Sequence, residues 1–122
     1  MLLHQMDDNA RQALLEEFFG SGSNSINVSY LRISIGASDL DPVVFSYNDL
    51  PPGQNEDLQL EHFSLSRDTL HLIPVLKEIL AINPDIKIMG SPWSAPVWMK
   101  SNKNSVGGNL NPQHYSVYAQ YF

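Results

Sequence analysis

Apolar positions recur along the chain with two alternating periods. In DDNARQALLEEFF, residues 7–19, Ala10, Leu14, Leu15, Phe18 and Phe19 fall on one face of a helix. Asp7 or Asp8 can cap its start, and Gly20 suits the residue just past its end. NVSYLRISIG, 27–36, is β-branched, apolar and bounded by turn residues, which predicts a strand. A long polar loop with PPGQNED follows, from about residue 37 to 66. From Asp68, DTLHLIPVLKEILAI predicts a second helix with Leu72, Leu76, Ile79 and Leu80 on its apolar face. Pro74 must kink that helix or mark its true first turn. DIKIMGS, 85–91, predicts a second strand. Another long loop, SPWSAPVWMKSNKNSVGGNLNP, leads to a helix starting near Gln113.

Short strands alternating with helices imply right-handed βα units on a parallel sheet. Both long loops follow a strand, and the returns from helix to strand are short. That asymmetry is the mark of a (β/α) barrel, whose working loops lie at the C-terminal face. A complete barrel takes about 250 residues, so this α/β chain is expected to be a fragment of one. It would hold about two βα units plus flanking helices, with residues 1–122 truncated at both ends. A small doubly wound domain would need more strands than the pattern offers. HYSVYAQYF at the end reads as a helix stopped in mid-pattern.

Composition narrows the function. The net charge is −6 and the seven basic residues are scattered, which argues against nucleic acid or an anionic membrane as partner. No apolar run approaches the roughly 20 residues of a membrane span. MLLHQMDDNA lacks the basic start and apolar centre of a secretory leader. There is no cysteine, so disulfides and thiolate metal sites are excluded. The histidines 4, 62, 71 and 114 show no metal-ligand spacing, and neither a metal nor a cofactor is expected. GSGSNS, 20–25, has the wrong glycine spacing for a phosphate loop and no strand before it. NVS at 27–29 matches a glycosylation sequon but sits at a strand start, as chance allows.

Side chains alternate along a strand. Leu31, Ile33 and Ile35 suit packing under helices, which turns Arg32, Ser34 and Gly36 toward the barrel interior. An arginine there needs a carboxylate: either it makes a structural salt bridge, or it holds a reacting carboxylate ionised and in place. Asp39, just past the strand, can accept hydrogen bonds from ligand hydroxyls or cap the following loop. Asp41, before Pro42, reads as a turn residue. Lys87, Met89, Ser91 and Trp93 share one parity, which puts Trp93 at the mouth. A flat ring there suits the apolar C–H face of a pyranose. The competing reading for both rings, Trp98 above all, is loop core anchored by Pro92 and Pro96.

Four stretches carry a resemblance. LRISIGASDLDP, FSYND, the FSL of EHFSLSRDT, and INPDIKIMGSPWSAPVWMKSN resemble glycoside hydrolase family 30, the glucosylceramidase family, in order from about residue 11 to the end. The resemblance implies a (β/α)8 barrel, usually with a β-rich side domain, that hydrolyses β-glycosides with retention. It implies that Arg32 supports the nucleophile, that Asp39 binds hydroxyls of the non-reducing sugar, and that Trp93 walls the same site. Trp98 is a weaker candidate for that site. The family's two catalytic glutamates follow its fourth and seventh strands, the acid/base lying a short way past a helix like YAQYF, 118–122. None of Glu16, Glu17, Glu56, Glu61 or Glu78 matches a catalytic position. The expected partner is a β-glucoside or glycolipid, glucosylceramide first. A β-1,6-glucanase, another family 30 specificity, or a truncated non-catalytic sugar-binding chain are the alternatives. The 122 residues alone are expected to be inactive and to need the rest of the barrel. The resemblance leaves a secreted or periplasmic location open.

Overall fold

In the computed structural model, which describes residues 2–122, Asp7 caps the first long helix. Its carboxylate accepts from the backbone N–H groups of Asn9 and Ala10 at 3.0 and 3.3 Å, and α2 runs Asp8–Phe19. A short helix, α1, Leu2–Gln5, precedes it. Four residues are too few to show a helical period, so the pattern does not predict it. The apolar face of α2 is narrower than predicted: Leu15 and Phe19 are buried, while Ala10 and Phe18 are exposed. Gly20 does follow the last turn, but with extended geometry (φ −69°, ψ 171°) instead of a left-handed cap. Glycine is needed there for closeness: a Cβ would lie 2.5 Å from the carbonyl oxygen of Glu16.

The first strand is shorter than its apolar run. β1 is Tyr30–Ile35. Asn27 takes φ +60°, and the N–H groups of Ile26 and Val28 bond back to Glu17 and Phe18 at the end of α2. Those residues are spent on the turn and cannot join a ladder. The second predicted helix is two helices, α3, Ser66–Leu70, and α4, Leu72–Ile82, separated at His71. Pro74 is the third residue of α4. Its missing N–H is one that a first turn leaves unpaired anyway. Val75 and Ile79 are buried, and Leu80, predicted on the same face, is exposed. β2 is Lys87–Pro92. It pairs with β1. Lys87 N–H donates to Ser29 at 2.9 Å, and Gly90 abuts Ile35. The pairing therefore advances along both strands in the same direction, as a parallel ladder does.

The chain forms two compact units, Met1–Ile33 with Ser66–Met89 and Ser34–Leu65 with Gly90–Phe122. In the first, Leu15 and Phe19 of α2 meet Val75 and Ile79 of α4 and Ile86, with Leu31 and Val28 at the margin. The Arg11 guanidinium reaches from α2 to both oxygens of Glu78 on α4, at 2.8 and 3.1 Å. This planar, two-point contact aligns the helices as well as joining them.

The second unit is mostly loop. A 3-10 turn covers Val97–Met99, another covers Pro112–His114, and α5 is Tyr115–Gln120. Trp98, Met99 and Val117 form its core, with Leu50, Leu60, Leu110 and Tyr118 around them. A buried polar network ties the loops. The Trp98 indole N–H donates to the side-chain and backbone oxygens of Asn48, at 2.9 and 3.1 Å. Asn48 is fully buried, and its amide donates to Asp57 at 2.9 Å. Asp57 also accepts from the backbone N–H groups of Glu61 and His62, at 3.0 and 2.8 Å. Burial pushes the Asp57 pKa up. The hydrogen bonds from Asn48, His62 and Glu61 together outweigh that and hold the carboxyl below its ordinary value.

Two predictions follow from this network. Trp98→Phe in the full-length protein removes the donor and strands the Asn48 acceptors, at a cost of about 1–3 kcal/mol. Trp93→Phe, measured beside it by chemical denaturation, should stay within about 0.5 kcal/mol of wild type. Asp57 has a depressed folded pKa, so its contribution is present above the ordinary carboxylate pKa of about 4 and fades as pH falls through and below it. Asp57→Asn should therefore melt below wild type at pH 7, with the gap closing under acid. A gap independent of pH would contradict the charged network.

Candidate substrate-binding site

β1 ends in a tight reversal. Gly36 has φ +76°, and a Cβ there would stand 3.0 Å from the carbonyl oxygen of Phe45. The same oxygen accepts from Ala37 N–H at 3.0 Å. Only glycine meets both demands, positive φ and close approach. The turn that follows is capped by Asp41, which accepts from Ser38 N–H at 2.7 Å and Ser38 hydroxyl at 3.1 Å. Asp41 is thus the turn residue that its position before Pro42 predicts. The capping alternative for Asp39 is not realised. Its carboxylate is exposed and makes no hydrogen bond or ion pair among the described residues.

Trp93 stands directly after β2 and keeps 38% of its surface exposed. Trp98, five residues on, is 6% exposed. Its ring lies edge-on to His114 with centroids 5.0 Å apart, and its N–H is spent on Asn48. The loop-core reading fits Trp98, although its ring also borders a cavity discussed below. Pro96 is fully buried beside it. The stiffness of SPWSAPVW thus has a cause: one ring is anchored inside, and the other is held at the surface.

Lys100 is buried as well, and its ammonium donates to the Ser94 hydroxyl at 3.1 Å and the Ser105 carbonyl at 2.8 Å. Desolvation lowers its pKa. Lys100 also bridges antiparallel to Leu110, so residues 100–110 form a closed loop, with Gly107 and Gly108 at positive φ. Sequence reasoning missed Asn48, Asp57 and Lys100 as anchors. Only the polar Asn48 inside the quoted FSYND stretch was a signal, and nothing in its spacing reveals burial.

Arg32 lies in the middle of β1 and is exposed. Since β1 and β2 are parallel neighbours, Asp39 and Trp93 follow the same, C-terminal, ends of adjacent strands. A carboxylate with unspent acceptor oxygens can take hydroxyls, and a part-exposed indole can pack on C–H faces. The carboxylates elsewhere are otherwise engaged or placed. Glu78 serves Arg11, and Glu56 lies 3.5 Å from buried His114. Among the described residues, no three His, Asp or Glu side chains come together as metal ligands would. Among the same residues, no helix is long and apolar enough to cross a membrane.

Comparison with known proteins places the chain in a family. The family model of the glycosyl hydrolase family 30 TIM-barrel domain matches residues 1–122. Putative glucosylceramidase 1 of Caenorhabditis elegans is 27% identical over 98% of this chain and 23% of its own length. An endo-1,6-β-D-glucanase of Trichoderma harzianum is 33% identical over 98% of this chain and 26% of its own. Among solved structures, SrfJ from Salmonella typhimurium superposes with a TM-score of 0.86 at 32% identity. A solved endo-β1,6-glucanase does so with 0.82 at 37%. Each superposition covers 98% of this chain and 26% of the other. The chain thus spans about a quarter of the length of the relatives it matches. On the full-length family match and these superpositions, the chain belongs to glycosyl hydrolase family 30 and forms part of its TIM-barrel domain.

Proposed function

We propose that these residues are the early part of the catalytic barrel of a retaining β-glycosidase acting on β-glucosidic bonds. The observation that supports the site assignment is that Asp39 and Trp93 each follow the C-terminal end of one of two adjacent strands. That is where barrel enzymes keep their working groups. In this reading Asp39 accepts hydrogen bonds from the hydroxyls of the bound glucose, and the Trp93 ring covers its C–H face. Arg32, on the strand itself, orients the nucleophilic carboxylate and keeps it ionised. Trp98 supports the site from below and borders it at most with a ring edge.

The two carboxyl groups of a retaining mechanism, about 5 Å apart, lie outside these 122 residues. One attacks the anomeric carbon while the other protonates the leaving oxygen. Water then releases the sugar with the configuration preserved. β1 and β2 keep apolar side chains such as Ile88 and Met89 exposed, which supports a need for the remaining barrel strands. Glucosylceramide is one substrate reading, through the glucosylceramidase relatives. A β-1,6-glucan is the other, supported by the higher identity of the glucanases.

In the full-length enzyme, Asp39→Ala should lower kcat/KM on a β-glucoside by about 10- to 100-fold, the worth of a charged hydrogen bond. An unchanged kcat/KM would remove Asp39 from the site. Proton NMR of the first product should show the β-anomer ahead of the α-anomer. The opposite order would exclude retention.

A further inference from the structure

The loops after β1 and β2 line an open cavity of about 460 Å³. That volume lies within the usual range of small-ligand sites, about 300–1,000 Å³. One wall comes from the first loop, with Phe45, Pro51 and Pro52; the other comes from the second, with Ala95, Val97 and Trp98. Neither Asp39 nor Trp93 lines it. Both are nevertheless close in the chain. Ser94 and Ala95, on the cavity wall, directly follow Trp93. Phe45, on the other wall, is bonded to Ala37, two residues before Asp39.

The lining says what fits. Apolar residues share the lining with Gln54, Asn55, Lys103 and Ser105. An alkyl chain would bury those donors and acceptors without partners, which is costly. A simple anion would meet Lys103 but also Asp49, another lining residue, whose carboxylate accepts from the Ser46 hydroxyl at 2.6 Å. Mixed donors and acceptors set among flat apolar walls suit a neutral polyol. The wall from the second loop is also fixed in advance. Lys100 pins Ser94 and Ser105 from behind, and Asn48 pins Trp98. Little ordering remains to be done when a ligand enters.

We infer that this cavity is a further glycosyl subsite, which takes an additional glucose unit of a β-1,6-linked chain. The inference rests on the β-glucosidase reading and deepens it toward the glucanase side. An enzyme that cuts inside a chain must hold more sugar units than the one being transferred.

The test uses the full-length enzyme on 4-nitrophenyl β-glucoside and on β-1,6-linked gluco-oligosaccharides of two to four units. We expect kcat/KM to rise with chain length. The double variant Asn55→Ala, Lys103→Ala should lower the ratio of oligosaccharide to aryl-glucoside activity by about tenfold, as lost hydrogen bonds would. If that variant melts early, Gln54→Ala on the exposed loop serves instead. A ratio untouched by chain length and by these variants overturns the subsite while leaving the glycosidase intact. Activity that rises with the alkyl length of alkyl glucosides, and not with added glucose, overturns it in favour of an apolar aglycone. Hydrolysis of no β-glucoside at all would overturn the enzyme reading itself.

Discussion

The indole N–H of Trp98, donating to Asn48, ties the two long loops to each other across the core they share. Fifty residues separate the partners, and both are buried. The indole offers one donor, and Asn48 meets it with two oxygens. Asn48 then passes the constraint on to Asp57. Since a buried polar group is far more costly unpaired than it is favourable paired, the network is held as a whole or lost as a whole. Trp93 is presented at the surface because its neighbour five residues on cannot leave the interior.

The first unit follows a different physical logic. Its stability comes from apolar contact between α2 and α4, with the Arg11 fork setting their alignment. Strands β1 and β2 contribute Leu31 and lead directly to the polar turns that carry Asp39 and Trp93. A two-stranded sheet is marginal by itself, and the exposed Ile88 and Met89 fit strands that belong to a larger sheet. Helices hold the scaffold, while hydrogen bonds hold the loops.

Much of this was legible in the residues. Helices α2 and α5, the helical segment that divides into α3 and α4, both strands and their order were read from the sequence, and Asp7 and Pro74 marked helix starts correctly. FSYND and SPWSAPVW were recognisable as motifs. What was not legible is that they touch. Side-chain alternation describes neighbours within a strand and says nothing about a bond across fifty residues. The early end of β1 escaped for the same reason, since Val28 is apolar and β-branched yet its N–H belongs to α2. Leu80 and Phe18 show the limit of helical periods: the pattern allows a wide apolar face, and contact with real neighbours narrows it. The exposed Asp39 was marked by its place just past a strand, and the turn chemistry settled that Asp41 does the capping.

The hydrogen bond between Asn48 and Asp57 closes the base of the segment from Asp49 to Glu56, whose outer part, Pro51–Glu56, is exposed. A Cβ built on Gly53 at its tip would meet nothing within 4 Å. Lengthening a loop whose ends are already joined costs little, since closure entropy grows only with the logarithm of its length. The segment can therefore act as an exchangeable module. Its length and composition can change while the clamp beneath it stays fixed, so an alteration here need not disturb the fold.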